Sequence, residues 1–466
     1  KNGIIIQKNT DQTIRIGHVG YLPFKNLTSF LKAWQEVMIK HLKISIPIPE
    51  VPLDKIEVVK KFEVTSKILL APGPTKYHPD IFHVTRKYFH PGTKNGHQIA
   101  RRLIKSIQIW LNNGNNPIFA STPSTGLLEA SISNLTLPKD RGLIISHGKF
   151  GERFNKIART KNRHVDFLEI SEKKWGEVFY PEMIEQFFKK DLKRIERTNN
   201  QKISFLCFQQ TETSSGVSYF MPHLIKIVRI ARHYNPDIMI IMDGVSGVGV
   251  HDIDFKKIDI DAVILGSQKG LGVSSGFSFV QLSDRAISYM LNVINYKNSW
   301  KKFICDKKRQ EYIEIFGKTQ NVNYFNFLRL MHENTTSDHT TIQSIFHILS
   351  TIESIKLIKK QGGTKNMVKN CEYMAKYTRK EAQKMNLKVL ARAPYQSNSV
   401  TPLLLPKKIS ASKKKKKLEN EYGIFIAGAQ GDYWKSNMVR IGHVGYITKS
   451  DIKKCMDSIR SILLSI

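Results

Sequence analysis

The chain has 466 residues, with 73 Lys and Arg against 39 Asp and Glu and a formal net charge of +34. That length exceeds what a single core usually serves, so a large domain with a smaller companion is expected, and no apolar run of about 18 residues is present to cross a membrane. Four cysteines, Cys207, Cys305, Cys371 and Cys455, show neither CxxC nor CxH spacing, which argues against a zinc site or a disulfide framework and fits a reducing compartment.

The charge would attract phosphates or anionic surfaces without specificity. It is spread along a chain also rich in Asn and Ile, and no nucleic-acid module accompanies it, so neither a nucleic-acid nor a membrane partner is expected. The opening residues 1–7, "KNGIIIQ", are too short an apolar stretch for a secretory signal. The missing initiator Met suggests a truncated or processed chain, and a cytoplasmic location is expected with organellar import left open.

A repeat comes first along the chain. Residues 14–21 read "IRIGHVGY" and residues 439–446 read "VRIGHVGY", while "NGIII" at 2–6 parallels "YGIFI" at 422–426. Each copy is followed by apolar residues at helical spacing, over 27–42 and 451–465. Residues 1–45 are thus a second copy of the terminal segment, either the end of an upstream copy of the same domain or a piece that packs beside its twin. Residues 46–65, rich in Pro and charge, read as a linker.

From residue 66 onward strand-like and helix-like stretches alternate. "SKILLAPGPT" (66–75) reads as a strand and turn, "NPIFAST" (116–122) as a strand and "GLLEASISNL" (126–135) as a helix. "GLIISHG" (142–148), "ISFLCFQQ" (203–210), "IMIIMDG" (238–244) and "DAVILGS" (261–267) are nearly continuous apolar runs, as suits strands buried on both faces of a mostly parallel sheet. A helix near 340–358, with Ile342, Ile345, Phe346, Leu349, Ile352 and Ile355 on its apolar positions, is expected to open the smaller domain, and "SKKKKK" (412–417) to be a solvated helix face. The expected organisation is a large domain at 66–340 and a small α+β domain at 341–466.

Four stretches at strand ends carry unusual chemistry, and that edge of an open α/β sheet is where ligands bind. Ser124, Thr125 and Gly126 open a helix, where free N–H groups can hold a phosphate; a simple N-cap by Ser or Thr is the other reading. Asp243 directly follows four apolar residues and needs a cationic partner or a solvated turn. Lys269 stands where "VILGSQKGLGVSSG" (263–276) turns from β-branched residues to glycines and serines. A lysine at such a crowded strand end has a lowered pKa and offers a neutral amine to a carbonyl. Arg440 can grip a carboxylate with two parallel hydrogen bonds. A phosphate cradle, an acid for a ring nitrogen, a Schiff-base lysine and a carboxylate-binding arginine together describe a pyridoxal-phosphate enzyme.

With those residues in place, the sequence resembles the class V aminotransferases of the alanine–glyoxylate and serine–glyoxylate (serine–pyruvate) type over about 66–466. The resemblance is carried by "LLAPGPT" (69–75), "STGLLEASISNL" (124–135), "SHGKFGERFNKIAR" (146–159), "TETSSGV" (211–217), "MDGVSGVG" (242–249), "GSQKGLG" (266–272), "YGIFIAGAQG" (422–431) and "RIGHVGY" (440–446). It implies an α/β chain of the pyridoxal-phosphate transferase fold type I and a transaminase moving an amino group from alanine or serine to glyoxylate or pyruvate. Lys269 would form the Schiff base and carry the proton, Asp243 would pair with the pyridine nitrogen, and Phe150 would stack on the ring. Ser124, Thr125, Gly126 and Gln268 would hold the phosphate, with Val245 and Thr213 against the cofactor. Arg440 would take the substrate carboxylate beside the turn at Gly73 and Pro74. The family is homodimeric.

Two positions depart from the family pattern. Pro123 removes a backbone donor from the phosphate loop, and "ENTTSDHTTIQS" (333–344) lacks the usual Thr-Pro pair, leaving the cross-subunit phosphate contact to His339 or Thr340. A cysteine desulfurase of the same fold and an inactive basic binding protein are the alternatives. The first needs a mobile cysteine and the second has no use for Lys269, Asp243 and Arg440 together. Arg15, the repeat's counterpart of Arg440, is expected not to act in turnover.

Overall fold

The computed structural model describes residues 6–10, 13–16, 32, 36, 68–84, 93–113, 117–198, 201–335, 343–406 and 409–464. The chain divides into two compact units, Lys1–Glu63 and Val64–Ile466. In the first, β1 (Ile6–Thr10) and β2 (Thr13–Ile16) form an antiparallel hairpin in which Gln7 faces Arg15. Lys32 and Glu36 are helical and exposed. The expected linker at 46–65, and His339 and Thr340, lie outside the described residues.

In the second unit the strands are β3 (Ile68–Leu70), β4 (Pro117–Ala120), β5 (Arg141–Ser146), β6 (His164–Glu169), β7 (Phe205–Gln209), β8 (Thr211–Glu212), β9 (Val217–Ser218), β10 (Met239–Asp243), β11 (Ala262–Gly266), β12 (Ser278–Leu282), β13 (Lys388–Val389), β14 (Val400–Leu404), β15 (Ile424–Gly428) and β16 (Met438–Gly442). Seven of them form one sheet in the order β4-β12-β11-β10-β7-β5-β6. Pairing is parallel from β11 through β10, β7 and β5 to β6, while β12 runs antiparallel to both β11 and β4.

The apolar runs have a direct structural cause. Along each inner strand successive side chains enter opposite cores: Leu206 and Phe208 join one, Phe205 and Cys207 the other. Because helices cover both faces, every residue of β4, β5, β7, β10, β11 and β12 is buried and no polar alternation is left to read. The strand β6 lies at the sheet edge with β5 as its one neighbour and is partly exposed.

A second sheet has the order β13-β14-β16-β15-β3 and its own core around Leu403, Ile426 and Ile441. Arg440 lies in its β16, opposite Pro402 on one side and Ala427 on the other. In sequence alignment of the two repeats Gln7 corresponds to Ala427, so both hairpins set the arginine against the same position.

Two boundaries drawn from sequence are corrected here. The strand at 68–70 pairs in parallel with β15 and belongs to the second sheet, although it precedes every strand of the first. The helix expected to open the small domain spans Ile345–Lys360, capped by Ser344, and sends Ile348 and Ile355 into the core of the large sheet beside Leu103 and Ile107 of the helix Lys94–Leu111. Periodicity shows that a helix has an apolar face but not which neighbour covers it. The run at 412–417 lies on the helix Ala411–Tyr422, which buries Ala411 and Leu418; only Lys413 and Lys416 of its lysines are exposed, while Lys414, Lys415 and Lys417 are half-buried, so the expected solvated face is only partial.

Candidate active site

The C-terminal ends of β4, β5, β7, β10 and β11 lie along one edge of the large sheet, and the residues that follow them line a cleft of about 240 Å³. Its walls bring together Gly73, Ser124, Thr125, Phe150, Asp243, Val245, Gln268 and Lys269. Gly126, Thr213 and Arg440 do not line it. Gly126 packs against Thr122, and Thr213 offers its backbone carbonyl to Arg440.

Lys269 is 8% exposed, and its Nζ donates to the carbonyl of Pro72. Burial, with Arg440 adding repulsion, lowers its ammonium to about 8, while Asp243 and Glu212 oppose the shift. Gly73 fits against it only because it lacks a side chain: at φ +121° an added Cβ would stand 2.6 Å from Lys269 Cδ.

Asp243 ends β10, accepts from the N–H of Val245 at 2.9 Å and makes no ion pair among the described residues. Burial raises its carboxyl to about 6, against the opposing effects of that hydrogen bond and of Lys269 and Arg153. The cationic partner anticipated from sequence therefore acts across the cleft rather than in contact.

The helix Ser124–Leu135 is capped by Pro123, with no side-chain cap bond. Ser124 is its first helical residue, and its buried Oγ has no hydrogen-bond partner; nor does Gln268 Oε1. The reading of this stretch as a mere Ser or Thr cap is thereby removed. Both atoms converge over Gly266, where an added Cβ would lie 2.5 Å from Ser124 Oγ and 2.7 Å from Gln268 Oε1.

Two polar residues that sequence reasoning missed organise this edge. Glu212 is fully buried and accepts from the N–H groups of Phe150 (3.0 Å), Gly151 (3.1 Å) and Ser214 (3.0 Å) and from Ser214 Oγ (2.6 Å). Its carboxylate thus closes the N-terminus of the helix Lys149–Thr160 and holds Phe150 in the cleft wall. Burial raises its carboxyl despite those donors. Arg153, one turn beyond Phe150, lies over the Phe150 ring at 4.9 Å and donates to Thr125 Oγ1 at 3.1 Å. Glu212 follows the polar stretch Gln209, Gln210 and Thr211 and lacks the abrupt apolar-to-acid step that marked Asp243, whereas Arg153 was readable from its three-residue spacing to Phe150 on one helix.

Arg440 is 6% exposed; its Nε donates to the Gly428 carbonyl (2.7 Å), and one terminal nitrogen donates to the Thr213 carbonyl (3.0 Å) and Gln430 Oε1 (3.2 Å). Burial lowers it to about 10 against the pull of Glu212. Of the cysteines, Cys207, Cys371 and Cys455 are buried and Cys305 is exposed. Among the described residues no cluster of His, Cys, Asp or Glu is arranged to hold a metal, and no helix is long and apolar enough to span a membrane.

These groups fit pyridoxal phosphate: the unsatisfied Ser124 hydroxyl at a helix N-terminus for the phosphate, a carboxylate without an ion pair for a cationic ring nitrogen and a desolvated amine for the aldehyde. Comparison with known proteins points the same way. A family model described as "Aminotransferase class-V" matches residues 164–295. An uncharacterized aminotransferase of Methanocaldococcus jannaschii is 25% identical over 84% of this chain and 91% of its own. Serine–glyoxylate aminotransferase of Arabidopsis thaliana is 21% identical over 78% and 82%. The crystal structure of alanine–glyoxylate aminotransferase from Nostoc sp. superposes with a TM-score of 0.73 at 20% identity, over 89% of this chain and all of that one. Residues 164–295 thus match the class V aminotransferase family, and the chain from Val64 onward shares the fold of pyridoxal-phosphate-dependent aminotransferases of fold type I.

Proposed function

We propose that this aminotransferase moves the amino group of a small amino acid, alanine or serine, to a small 2-oxo acid, glyoxylate or pyruvate, with Lys269 as its Schiff-base residue. The observation that carries the reading is the pairing of a buried amine lowered to about 8 with a buried carboxyl raised to about 6 in one cleft. Pyridoxal phosphate supplies a conjugated electron sink once its carbonyl carbon is bound to an amine.

The protein's own groups do the rest. Lys269 offers a neutral amine near physiological pH and would hold and move the proton at the substrate Cα. Asp243 is ionised above about pH 6 and keeps the ring nitrogen cationic. Phe150 would stack on the ring, and Ser124, Thr125 and Gln268, which line the same cleft, would hold the phosphate. Arg440 takes the substrate carboxylate, and its burial between the Gly428 and Thr213 carbonyls pre-orients the guanidinium. The preference for a small side chain is supported by the relatives named for glyoxylate reactions. A homodimer, as in the family, is part of the proposal.

The test is an absorption spectrum of the purified protein with added pyridoxal phosphate, before and after alanine. Wild type is expected to show a visible band that alanine or serine bleaches. Lys269→Ala is expected to form no lysine-linked band. Absence of the band in wild type at saturating cofactor would sink the proposal.

A further inference from the structure

Pro123 caps the helix Ser124–Leu135 without an N–H of its own and without a side-chain cap, so the phosphate end of the cleft holds one backbone donor fewer than a non-proline residue would provide. The same wall carries a cation that the assignments above leave unused. Arg153 lines the cleft with Ser124, Thr125 and Gln268, its Nη1 lies 3.1 Å from Thr125 Oγ1, and its guanidinium lies over the Phe150 ring, 4.9 Å from the centroid. It forms no ion pair with any described carboxylate. Ser124, 5% exposed, leaves its Oγ unpartnered beside it.

We propose that Arg153 is a phosphate-binding residue of the cofactor cradle, supplying from the neighbouring helix the donor that Pro123 withholds. The inference rests on the proposed function. A guanidinium presents five N–H donors in a fixed fork matched to phosphate oxygens, and only one of those donors is committed to Thr125 by a direct hydrogen bond. Phe150 beneath it limits the side chain's rotamers, so little ordering entropy remains to be lost on binding. The Lys149–Thr160 helix that carries both residues is anchored at its start by Glu212, which fixes the height of Arg153 over the cleft.

Pyridoxal, which lacks the phosphate, separates this role from a merely structural one. Apo-protein is titrated with pyridoxal phosphate and with pyridoxal, following intrinsic fluorescence, for wild type and Arg153→Gln. Loss of a charged hydrogen bond to phosphate is expected to weaken pyridoxal phosphate about 10- to 100-fold and pyridoxal less than about 3-fold. Arg153 is exposed, so the variant is expected to melt with wild type, and a melting curve checks this. Equal weakening of both compounds, or unchanged affinity for pyridoxal phosphate, overturns the inference and leaves the aminotransferase reading intact. Failure of wild type to bind pyridoxal phosphate overturns both.

Discussion

Asp243 ends β10, Lys269 follows the adjacent parallel strand β11, and both face one cleft with their acidities drawn toward each other, the carboxyl up to about 6 and the ammonium down to about 8. Burial drives both shifts, and each charge partly restrains the other. This pair makes the pH behaviour testable.

The rate at which apo-protein captures pyridoxal phosphate is expected to rise with pH through about 8 and level above it, instead of rising to about 10.5 as for a free lysine. Asp243 attracts the ammonium, so Asp243→Asn moves the midpoint below that of wild type. A stopped-flow pH series checks this, and a midpoint that moves up contradicts the assignment.

Stability of the apo-protein follows from the same carboxyl. Its folded value, about 6, lies above the ordinary 3.8, so ionisation is penalised in the folded state. The penalty is fully present above about pH 6 and disappears as pH falls from there toward 4. Asn keeps an acceptor for the Val245 N–H, so Asp243→Asn is expected to stabilise apo-protein at pH 8 by about 3 kcal/mol, the size implied by the shift. The gain should shrink on acidification. Denaturant unfolding at pH 8 and pH 5 measures the difference, and equal effects at the two pH values would refute it.

Glu212→Ala leaves the N–H groups of Phe150, Gly151 and Ser214 without their acceptor. A loss of about 2–4 kcal/mol in unfolding free energy is expected. Weaker binding of both pyridoxal phosphate and pyridoxal should accompany it, because the Phe150 wall loosens. A variant as stable as wild type would show that this buried network is dispensable.

Arg440 and Arg15 occupy matching hairpin positions, and Arg440 is coupled electrostatically to Lys269. Arg440→Ala is expected to lower kcat/KM for the amino donor about 100-fold, chiefly through KM, while cofactor capture persists. Arg15→Ala should leave turnover unchanged. Equal losses in the two variants would assign the N-terminal hairpin a part in the site.

Gly73→Ala places a Cβ against the Lys269 side chain and forces alanine to a φ of +121°. The expected result is slower cofactor capture by at least about 10-fold, as misplacing the reacting amine costs orientation. Unchanged capture kinetics would mean that the Pro72–Pro74 turn yields freely.

The apolar runs, the small residues opening a helix, the acid after a strand and the lysine before a glycine string were all legible in the chain, because each is a local conflict between residue type and environment. Continuous apolar strands reported a sheet covered on both faces, and the ordered motifs reported the family. Long-range pairing was not legible. Ile68–Leu70 has the same composition whichever sheet it joins, and only its hydrogen bonds to β15 place it beside Arg440's sheet. The partner of the helix Ile345–Lys360, the Phe150 and Gly151 donors on Glu212 and the reach of Arg153 to Thr125 likewise bring together residues distant in sequence. Local chemistry is written in the order of residues; which groups share a buried space depends on how the sheets and helices pack, and that packing decided the electrostatics of the site.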